Sequence, residues 1–327
     1  MILVIRGIAV IKKRGSTLAI SYPTKEDRAL DVVPILDLEL LVIVGYRVRI
    51  SSGTLLMLAR SGVPVVFHSR SVDAMVFTPF TIRIADVRRR QYKLLEDYNW
   101  RTSISKKFIK GKIRGFLSVC RYFIYKETEQ SSKATNGLTY LKDLERSFME
   151  DLRLASDVKS VVRVEAKWSK KLWEYLCRFI PEHYEFTGRD PRSKDPINSA
   201  INYSYAVIYG LCTHALISAG LDPYAGIIHS ERPGRVALTY DYSEMFKPLA
   251  IHATVTSSRI ASLKLGRDGY LTKTGLKVLT KSIYRLLKRK PPTRRHTVRA
   301  QIYFKAWELR NNIVKATKFT PYTYRAK

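Results

Sequence analysis

The chain changes character between residues 80 and 90, and this change limits the folds open to it. Before it, short runs of β-branched residues alternate with Gly, Pro or charged residues, which is typical of strands joined by tight turns. Residues 51–61 are predicted to form one short helix that begins at a Ser/Gly cap. The predicted strands are MILVI, AVI, TLAISY, LLVIV and RVRI in the first 50 residues and VPVVFHS at 63–69.

From Asp86 onward the pattern is helical, with many charges and few turn formers. The predicted helices are 86–127, 138–155, 157–180, 197–219, 243–260, 273–289 and 296–316, with polar loops at 127–137 and 181–196. The sequence therefore predicts an α+β fold. A small β-rich N-terminal domain spans residues 1–82, and a larger all-α C-terminal domain spans residues 83–327.

The charge of the chain is uneven. Lys and Arg number 58 against 28 acidic residues, a formal charge of +30. Residues 1–82 hold 10 basic and 6 acidic residues, so nearly all of the excess belongs to the predicted helical domain. The segment Lys281–Ala300 holds eight basic residues and no acidic one. Because a large positive excess repels itself in the compact state, it indicates a polyanionic partner.

Three distant cysteines, Cys120, Cys177 and Cys212, make no metal-binding or disulfide pattern and favour a reducing compartment. No signal-peptide pattern appears at the start, and the longest apolar run, Ala206–Leu221, is short for a membrane span. We therefore expect a cytoplasmic protein with no membrane partner.

Glu165 interrupts an apolar helical stripe. In the predicted helix 157–180, apolar residues recur at three- and four-residue spacing, and Glu165 falls on their face. An ionised carboxylate is rarely buried unless it is paired or bound to a metal. Two interpretations stay open: a Glu at the edge of the stripe paired with an arginine, or a metal ligand.

The segment Gly220–Pro248 holds three further candidates. His229 ends an apolar run just before the turn SERPGR, a place where functional side chains often stand. A structural histidine bonded to the backbone is the alternative. Asp241 and Glu244 lie three residues apart, which places both on one helix face. The same spacing is that of a capping box, with Asp241 as the N-cap.

Taken together, these carboxylates and one imidazole are ligand types that suit Mg²⁺ or Mn²⁺ and do not indicate a closed structural zinc site. An acidic cluster would oppose polyanion binding, whereas a bound cation reverses the local sign and attracts phosphate. Such an ion assists phosphoryl transfer. No P-loop, dinucleotide-binding or HExxH motif is present.

Two weaker groups of candidate residues lie between Glu165 and His229 in the sequence. Arg189, Arg192 and Asp195 precede a long predicted helix, and phosphate contact or a local ion pair are both open for them. The tyrosines in that helix are predicted to belong to the core rather than to stack on bases. They are Tyr203, Tyr205 and Tyr209.

The order of several segments resembles one family. The first part contains LLVIVG followed by ISSGTLLMLARSGVPVVFH. The second contains DPINSAINYSYAVIYG, then GLDPYAGIIH, then ALTYDYSEMFKP. In this order, these segments are similar to those of the CRISPR-associated integrases, the family of CRISPR-associated protein one. The resemblance covers most of the chain.

This resemblance implies a homodimeric, metal-dependent DNA endonuclease and integrase of CRISPR adaptation. It implies insertion of short DNA fragments into the CRISPR array by transesterification, with Mg²⁺ or Mn²⁺ as cofactor. The implied partners are double-stranded DNA and CRISPR-associated protein two. By matching position, the metal ligands are Glu165, His229 and Glu244, and Asp241 is a supporting acid.

Two positions depart from the family pattern. Small residues usually follow the helical Glu, whereas Trp168 stands close behind it here, which predicts different local packing. Lys247 replaces the Arg of the usual FRP motif and keeps its charge. Two alternative functions remain: a transposon-encoded integrase that inserts its own ends, and a non-catalytic DNA-binding architectural protein.

Overall fold

The strand-forming runs of the first part become eight short strands. The computed structural model describes residues 2–22, 31–38, 40–45, 47–63, 65–68, 75–77, 85–127, 132–230, 232–290 and 296–326. Within these, the strands are β1 (Ile2–Arg6), β2 (Ala9–Arg14), β3 (Thr17–Ser21), β4 (Asp31–Pro34), β5 (Leu40–Val44), β6 (Val48–Ile50), β7 (Val65–His68) and β8 (Met75–Phe77). The sequence did not predict β4 and β8, which have four and three residues.

These strands form two four-stranded sheets. The first has the order β1–β5–β7–β8, with β8 antiparallel to its neighbour and the other pairs parallel. The second has the order β4–β3–β2–β6. Its hairpin turns at Gly15, whose φ of 59° lies in the left-handed region that favours glycine. The parallel pair β5–β7 needs a long crossover. This crossover contains β6 of the second sheet and helix α1 (Ser52–Arg60).

The helical part follows the strands. Its helices are α2 (Ala85–Leu95), α3 (Tyr98–Glu127), α4 (Ser132–Leu154), α5 (Val158–Cys177), α6 (Pro196–Ser218), α7 (Ala237–Ser243), α8 (Lys247–Ile260), α9 (Lys273–Lys288) and α10 (Val298–Lys315). The α+β class is confirmed. The predicted boundary after residue 82 falls among residues 78–84, outside the described residues, so the division into domains stays a prediction.

Three helix predictions needed correction. The predicted helix 86–127 is divided, because the Asp97 carboxylate accepts the backbone N–H groups of Asn99 and Trp100 and so begins a new helix, α3. The predicted loop 127–137 is wrong from residue 132 onward, where α4 has begun. The predicted helix 243–260 begins too early, because residues 244–246 form a turn and α8 starts at Lys247; the preceding α7 was not predicted.

Gly137 lies where the start of α4 packs against α5. A Cβ at this position would lie 2.9 Å from the Tyr175 hydroxyl, so the glycine lets α4 approach α5 closely. Polar composition suggested a loop, but tertiary packing provides the stabilisation that the local sequence lacks.

Alternation along β5 places the first sheet between two hydrophobic cores. Leu41 and Ile43 belong to a small core with the second sheet and α1, whereas Val42 and Val44 belong to the large core of the helices. Successive side chains of a strand point to opposite faces, so one strand serves both cores. The Arg6 guanidinium also bonds Asp268 at 2.7 Å, between α8 and α9. The first sheet therefore packs against α6 and α9 of the helical part.

None of the helices in the described part of the chain is long and apolar enough to cross a membrane. The three cysteines are free; Cys120 and Cys212 are buried. Burial raises the pKa of the Cys120 and Cys212 thiols, which keeps both as protonated, weakly reactive core residues. Part of the basic KRKPPTRRH segment, residues 291–295, lies outside the described residues.

Candidate functional site

Two predicted carboxylates converge on one lysine. Glu165 lies in the middle of α5, and Glu244 lies in the turn between α7 and α8. The Lys112 ammonium, from α3, lies 2.7 Å from Glu244 Oε2 and also donates to Glu165 Oε1. We call Glu165 and Glu244 the carboxylate pair. Glu165 is thus partnered, by a lysine rather than by the arginine considered from sequence.

Each member of the pair is also held by a second group. The Ser169 hydroxyl, one turn along α5, donates to Glu165 Oε1 at 2.7 Å. The Lys247 ammonium donates to Glu244 Oε1 at 2.5 Å. Lys247 in turn lies over the rings of Tyr205 and Tyr209, at 5.1 and 5.6 Å from their centroids. These contacts fix the orientation of both carboxylates.

Burial and charge act in opposite directions on this cluster. Glu244 is 6% exposed, and burial alone would raise its pKa, but Lys112 and Lys247 outweigh that effect and lower the pKa to about 2. Burial alone would lower the pKa of Lys112, but Glu244 and Glu165 outweigh it, and the pKa is raised. Glu244 and Lys112 are therefore both charged near neutral pH.

His229 and Asp241 form a second cluster. The fully buried Asp241 carboxylate accepts the backbone N–H groups of Ile227 and Ile228, at 2.7 and 2.8 Å, and that of His229. His229 Nδ1 donates to Asp241 Oδ1. With Nδ1 donating to this carboxylate, the neutral imidazole keeps its lone pair on Nε2. His229 is therefore oriented by a carboxylate, in the way that metal-binding histidines commonly are.

The capping-box interpretation of Asp241 and Glu244 is wrong. Asp241 lies inside α7, whose N-cap is Val236, and α8 begins after Phe246 with no side-chain cap. Asp241 instead uses all its acceptor capacity to hold the loop 227–229. Its role in the structure is to position His229.

The donors suit a hard divalent cation only in part. Both members of the carboxylate pair contact one cation, the Lys112 ammonium. Carboxylate oxygens are ligands that suit Mg²⁺ or Mn²⁺. Across the residues that the structure describes, however, no three His, Cys, Asp or Glu side chains lie close enough to form a metal site. The structure brings Glu165 and Glu244 together and His229 and Asp241 together, as two separate clusters.

A cavity of about 1210 Å³ opens beside the carboxylate pair. Lys112 and Glu165 line it, together with Val44 of the first sheet. The rest of its charged wall is largely basic. The basic residues there are Lys170, Arg189, Arg192, Lys194 and Lys247. A negatively charged ligand can thus approach the carboxylate pair, because the basic side chains of the cavity wall attract it.

The weaker sequence candidates also take defined positions. Arg189 donates to the side chains of Asn198 and Asn202, at 2.9 and 2.5 Å, and lines the cavity. Asp195 is the N-cap of α6. Tyr203 and Tyr205 are buried in the core, as predicted, whereas Tyr209 is only half-buried.

Trp168 lies among residues of α4. Its indole N–H donates to Asp151 at 2.8 Å, and its ring packs edge-on against Phe148. The bulky residue that departs from the family pattern thus joins α5 to α4, and the contacts of Glu165 come from Lys112 and Ser169.

Sequence reasoning missed Lys112, although a signal was present. It lies four residues after Phe108 and four before Phe116, two fully buried side chains of α3. The same stripe argument that singled out Glu165 therefore applies to Lys112.

The fold of this chain matches that of a known class of proteins in the solved structures. A casposase bound to integration product has a solved structure that matches with a TM-score of 0.83 and 21% identity, covering all of this chain and 94% of the other. The fold is therefore that of casposase-like proteins, with a two-sheet unit ahead of a helical one. The chain belongs to the CRISPR associated protein Cas1 family, whose model matches residues 2–287.

Relatives agree with this membership. A CRISPR-associated endonuclease Cas1 of Hyperthermus butylicus is 34% identical over 164 residues, 49% of each chain. The CRISPR-associated endonuclease Cas1 1 of Archaeoglobus fulgidus is 28% identical over 264 residues, 76% of this chain and 72% of the relative. The match to the first of these spans about half of its length.

Proposed function

We propose that this chain is a metal-dependent DNA endonuclease and integrase of CRISPR adaptation. The observation that carries the proposal is the carboxylate pair, Glu165 and Glu244, beside a cavity whose wall is otherwise mostly basic. Family membership supports it, because the relatives are named as endonucleases. The substrates are a short DNA duplex with free 3′-hydroxyl ends and a CRISPR repeat.

The reaction is a transesterification at phosphorus. A 3′-hydroxyl oxygen of the fragment forms a bond to the phosphorus at the repeat boundary, and the bond from that phosphorus to the repeat's own 3′ oxygen breaks. The attacking hydroxyl loses a proton and the leaving oxygen gains one. Because one phosphodiester replaces another, the reaction requires no nucleotide hydrolysis.

Glu165 and Glu244 would hold a Mg²⁺ or Mn²⁺ ion, and His229, through Nε2, would have to approach them from the second cluster to complete the ligand set. When bound, such an ion polarises the phosphate and stabilises both reacting oxygens. Asp241 holds His229 in the tautomer that leaves Nε2 free. Lys247 orients Glu244, and the basic wall binds the flanking phosphates.

The partners that the resemblance implies belong to the same proposal. They are double-stranded DNA, a second copy of this chain and CRISPR-associated protein two. The net charge of +30 supports the first of these, since DNA is a polyanion.

A strand-transfer assay tests the proposal. A short duplex is incubated with a supercoiled plasmid that carries a repeat, in Mn²⁺ and in EDTA. We expect joined product only with Mn²⁺, and a fall of at least about 100-fold for Glu165→Gln, Glu244→Gln or His229→Ala, because each removes a ligand of the ion.

The matched control is Glu150→Gln, an exposed residue of α4, which should retain activity. A duplex that lacks its 3′-hydroxyl should give no joined product. Full activity of the three site variants would show that the assignment of the site is wrong.

The casposase match favours a second candidate, a transposon-type integrase that inserts its own ends. The same assay separates the two functions. Insertion at the repeat boundary supports the CRISPR integrase, whereas insertion of terminal inverted repeats without preference for the CRISPR repeat supports the transposon type.

A further inference from the structure

Lys112 occupies the space between the two carboxylates. Its ammonium donates to Glu165 Oε1 and lies 2.7 Å from Glu244 Oε2. It comes from α3, whereas the carboxylates come from α5 and from the turn before α8. One positive charge thus joins three separate elements of the helical part.

The carboxylates do not depend on Lys112 alone for their orientation. Ser169 holds Glu165 Oε1, and Lys247 holds Glu244 Oε1. If the Lys112 ammonium left, each carboxylate would keep one partner, and the oxygens it had contacted would become available to another cation.

The position is also reachable. Lys112 and Glu165 both line the cavity, so a small ion can enter from solvent. Lys112 and Glu244 are buried, and charges in a buried setting interact strongly because screening by water is weak. An ammonium and a divalent cation would repel each other between the same oxygens, so only one of them occupies the place.

We propose that the Lys112 ammonium is the built-in counter-ion of the carboxylate pair in the metal-free protein, and that a divalent cation binds by displacing it. This inference rests on the proposed function, which takes the pair as metal ligands. Lys112 prevents the two carboxylates from repelling each other while no metal is bound. It also lowers the apparent metal affinity, because metal binds only to the fraction of molecules from which the ammonium has moved.

Titration calorimetry of Mn²⁺ into the full chain, at constant ionic strength, tests the displacement. Lys112→Met removes the ammonium and should bind Mn²⁺ at least about tenfold more tightly than the unaltered protein. Lys110→Met, on the same helix but without a contact to the pair, is the matched control and should bind as the unaltered protein does.

Thermal unfolding gives an independent reading. In EDTA, Lys112→Met should unfold at a lower temperature than the unaltered protein, because the pair has lost its counter-ion. Mn²⁺ should raise its midpoint by a larger interval than it raises that of the unaltered protein. If Lys112→Met does not fold, Lys112→Gln keeps a hydrogen-bonding side chain without the charge and serves in its place.

The outcomes separate this inference from the proposed function. Equal or weaker Mn²⁺ affinity in the Lys112 variant overturns the displacement and leaves the metal site intact. If neither protein binds Mn²⁺, the metal site is absent and both proposals fail. Tighter binding by the variant that Glu165→Gln abolishes supports both.

Discussion

Single charged residues on buried helix faces define this site. Glu165 and Lys112 each stand where their helix neighbours are apolar, one on α5 and one on α3. The stripe rule could find each of them, because a charge at a core position needs a partner. It could not show that they are partners of each other, since 53 residues separate them.

Asp241 shows the opposite case, in which local spacing misleads. Its distance from Glu244 is that of a capping box, yet its carboxylate binds backbone groups 12 to 14 residues earlier in the chain. A short motif is compatible with several geometries, and the loop 227–229 provides more donors than a helix start would.

Asp241→Asn should therefore destabilise the protein by about 3 kcal/mol, because an amide nitrogen would face N–H donors in a buried place. Urea unfolding gives the free energy of unfolding. Asp222→Asn, in the connection between α6 and α7 and partly exposed, is the control and should cost less than about 1 kcal/mol. A loss below about 0.5 kcal/mol for Asp241→Asn would contradict the positioning role.

At the scale of elements, α9 presents a regular row of positive charges to solvent. It has no acidic residue, and its leucines and isoleucine are buried. Five cations recur along its exposed face. Those that are four residues apart are separated by about 6 Å along the helix axis. They are Lys273, Lys277, Lys281, Arg285 and Lys288. Among the described residues, no carboxylate pairs with the middle three.

Neutralising these three residues tests whether the row binds DNA. A Lys277→Gln, Lys281→Gln, Arg285→Gln variant should bind duplex DNA more weakly, and its log affinity against log salt should be less steep by about 2 to 3. Fluorescence anisotropy at several salt concentrations measures both. The variant Lys12→Gln, Lys13→Gln, Arg14→Gln on β2 loses the same charge and should keep the slope; equal effects of the two variants would argue that only net charge matters.

At the scale of the whole molecule, residues 319–326 join elements that are distant in sequence. Phe319, Tyr322 and Tyr324 are buried. A Cβ at Gly111 would lie 2.4 Å from the Tyr322 carbonyl oxygen, so the segment packs directly on α3 beside Lys112. The Tyr322 N–H also reaches the sulfur of Met245, next to Glu244. This segment therefore supports the site from behind, although the family model ends at residue 287.

His252 connects the same segment to α8 and makes stability depend on pH. Its Nδ1 lies 2.7 Å from the Tyr324 hydroxyl. Burial, with repulsion from Arg289 and Arg285, lowers its pKa to about 3, against about 6.5 in an unfolded chain. The unfolded state binds more protons between these values, so this contribution to stability is complete above about pH 6.5 and is lost as the pH falls toward 3.

His252→Gln should flatten the acid side of the stability profile. The expected change is a slope smaller by up to about 1.4 kcal/mol per pH unit below pH 6.5, because one proton is no longer taken up on unfolding. Urea unfolding at pH 7, 6 and 5 measures it, with the exposed His183→Gln as control. If the two variants share one profile, His252 does not cause the dependence.

The sequence by itself determined the α+β class, the excess of positive charge and the candidate site residues, because period, composition and a charge on an apolar stripe are local properties. Only the tertiary structure decided that Glu165 and Glu244 share Lys112, that Asp241 serves His229, and that β1, β5 and β7 pair in parallel. Each of these depends on contacts between segments distant along the chain. Such contacts form because burying the apolar faces of several elements together outweighs the loss of chain entropy, and no single segment carries that information.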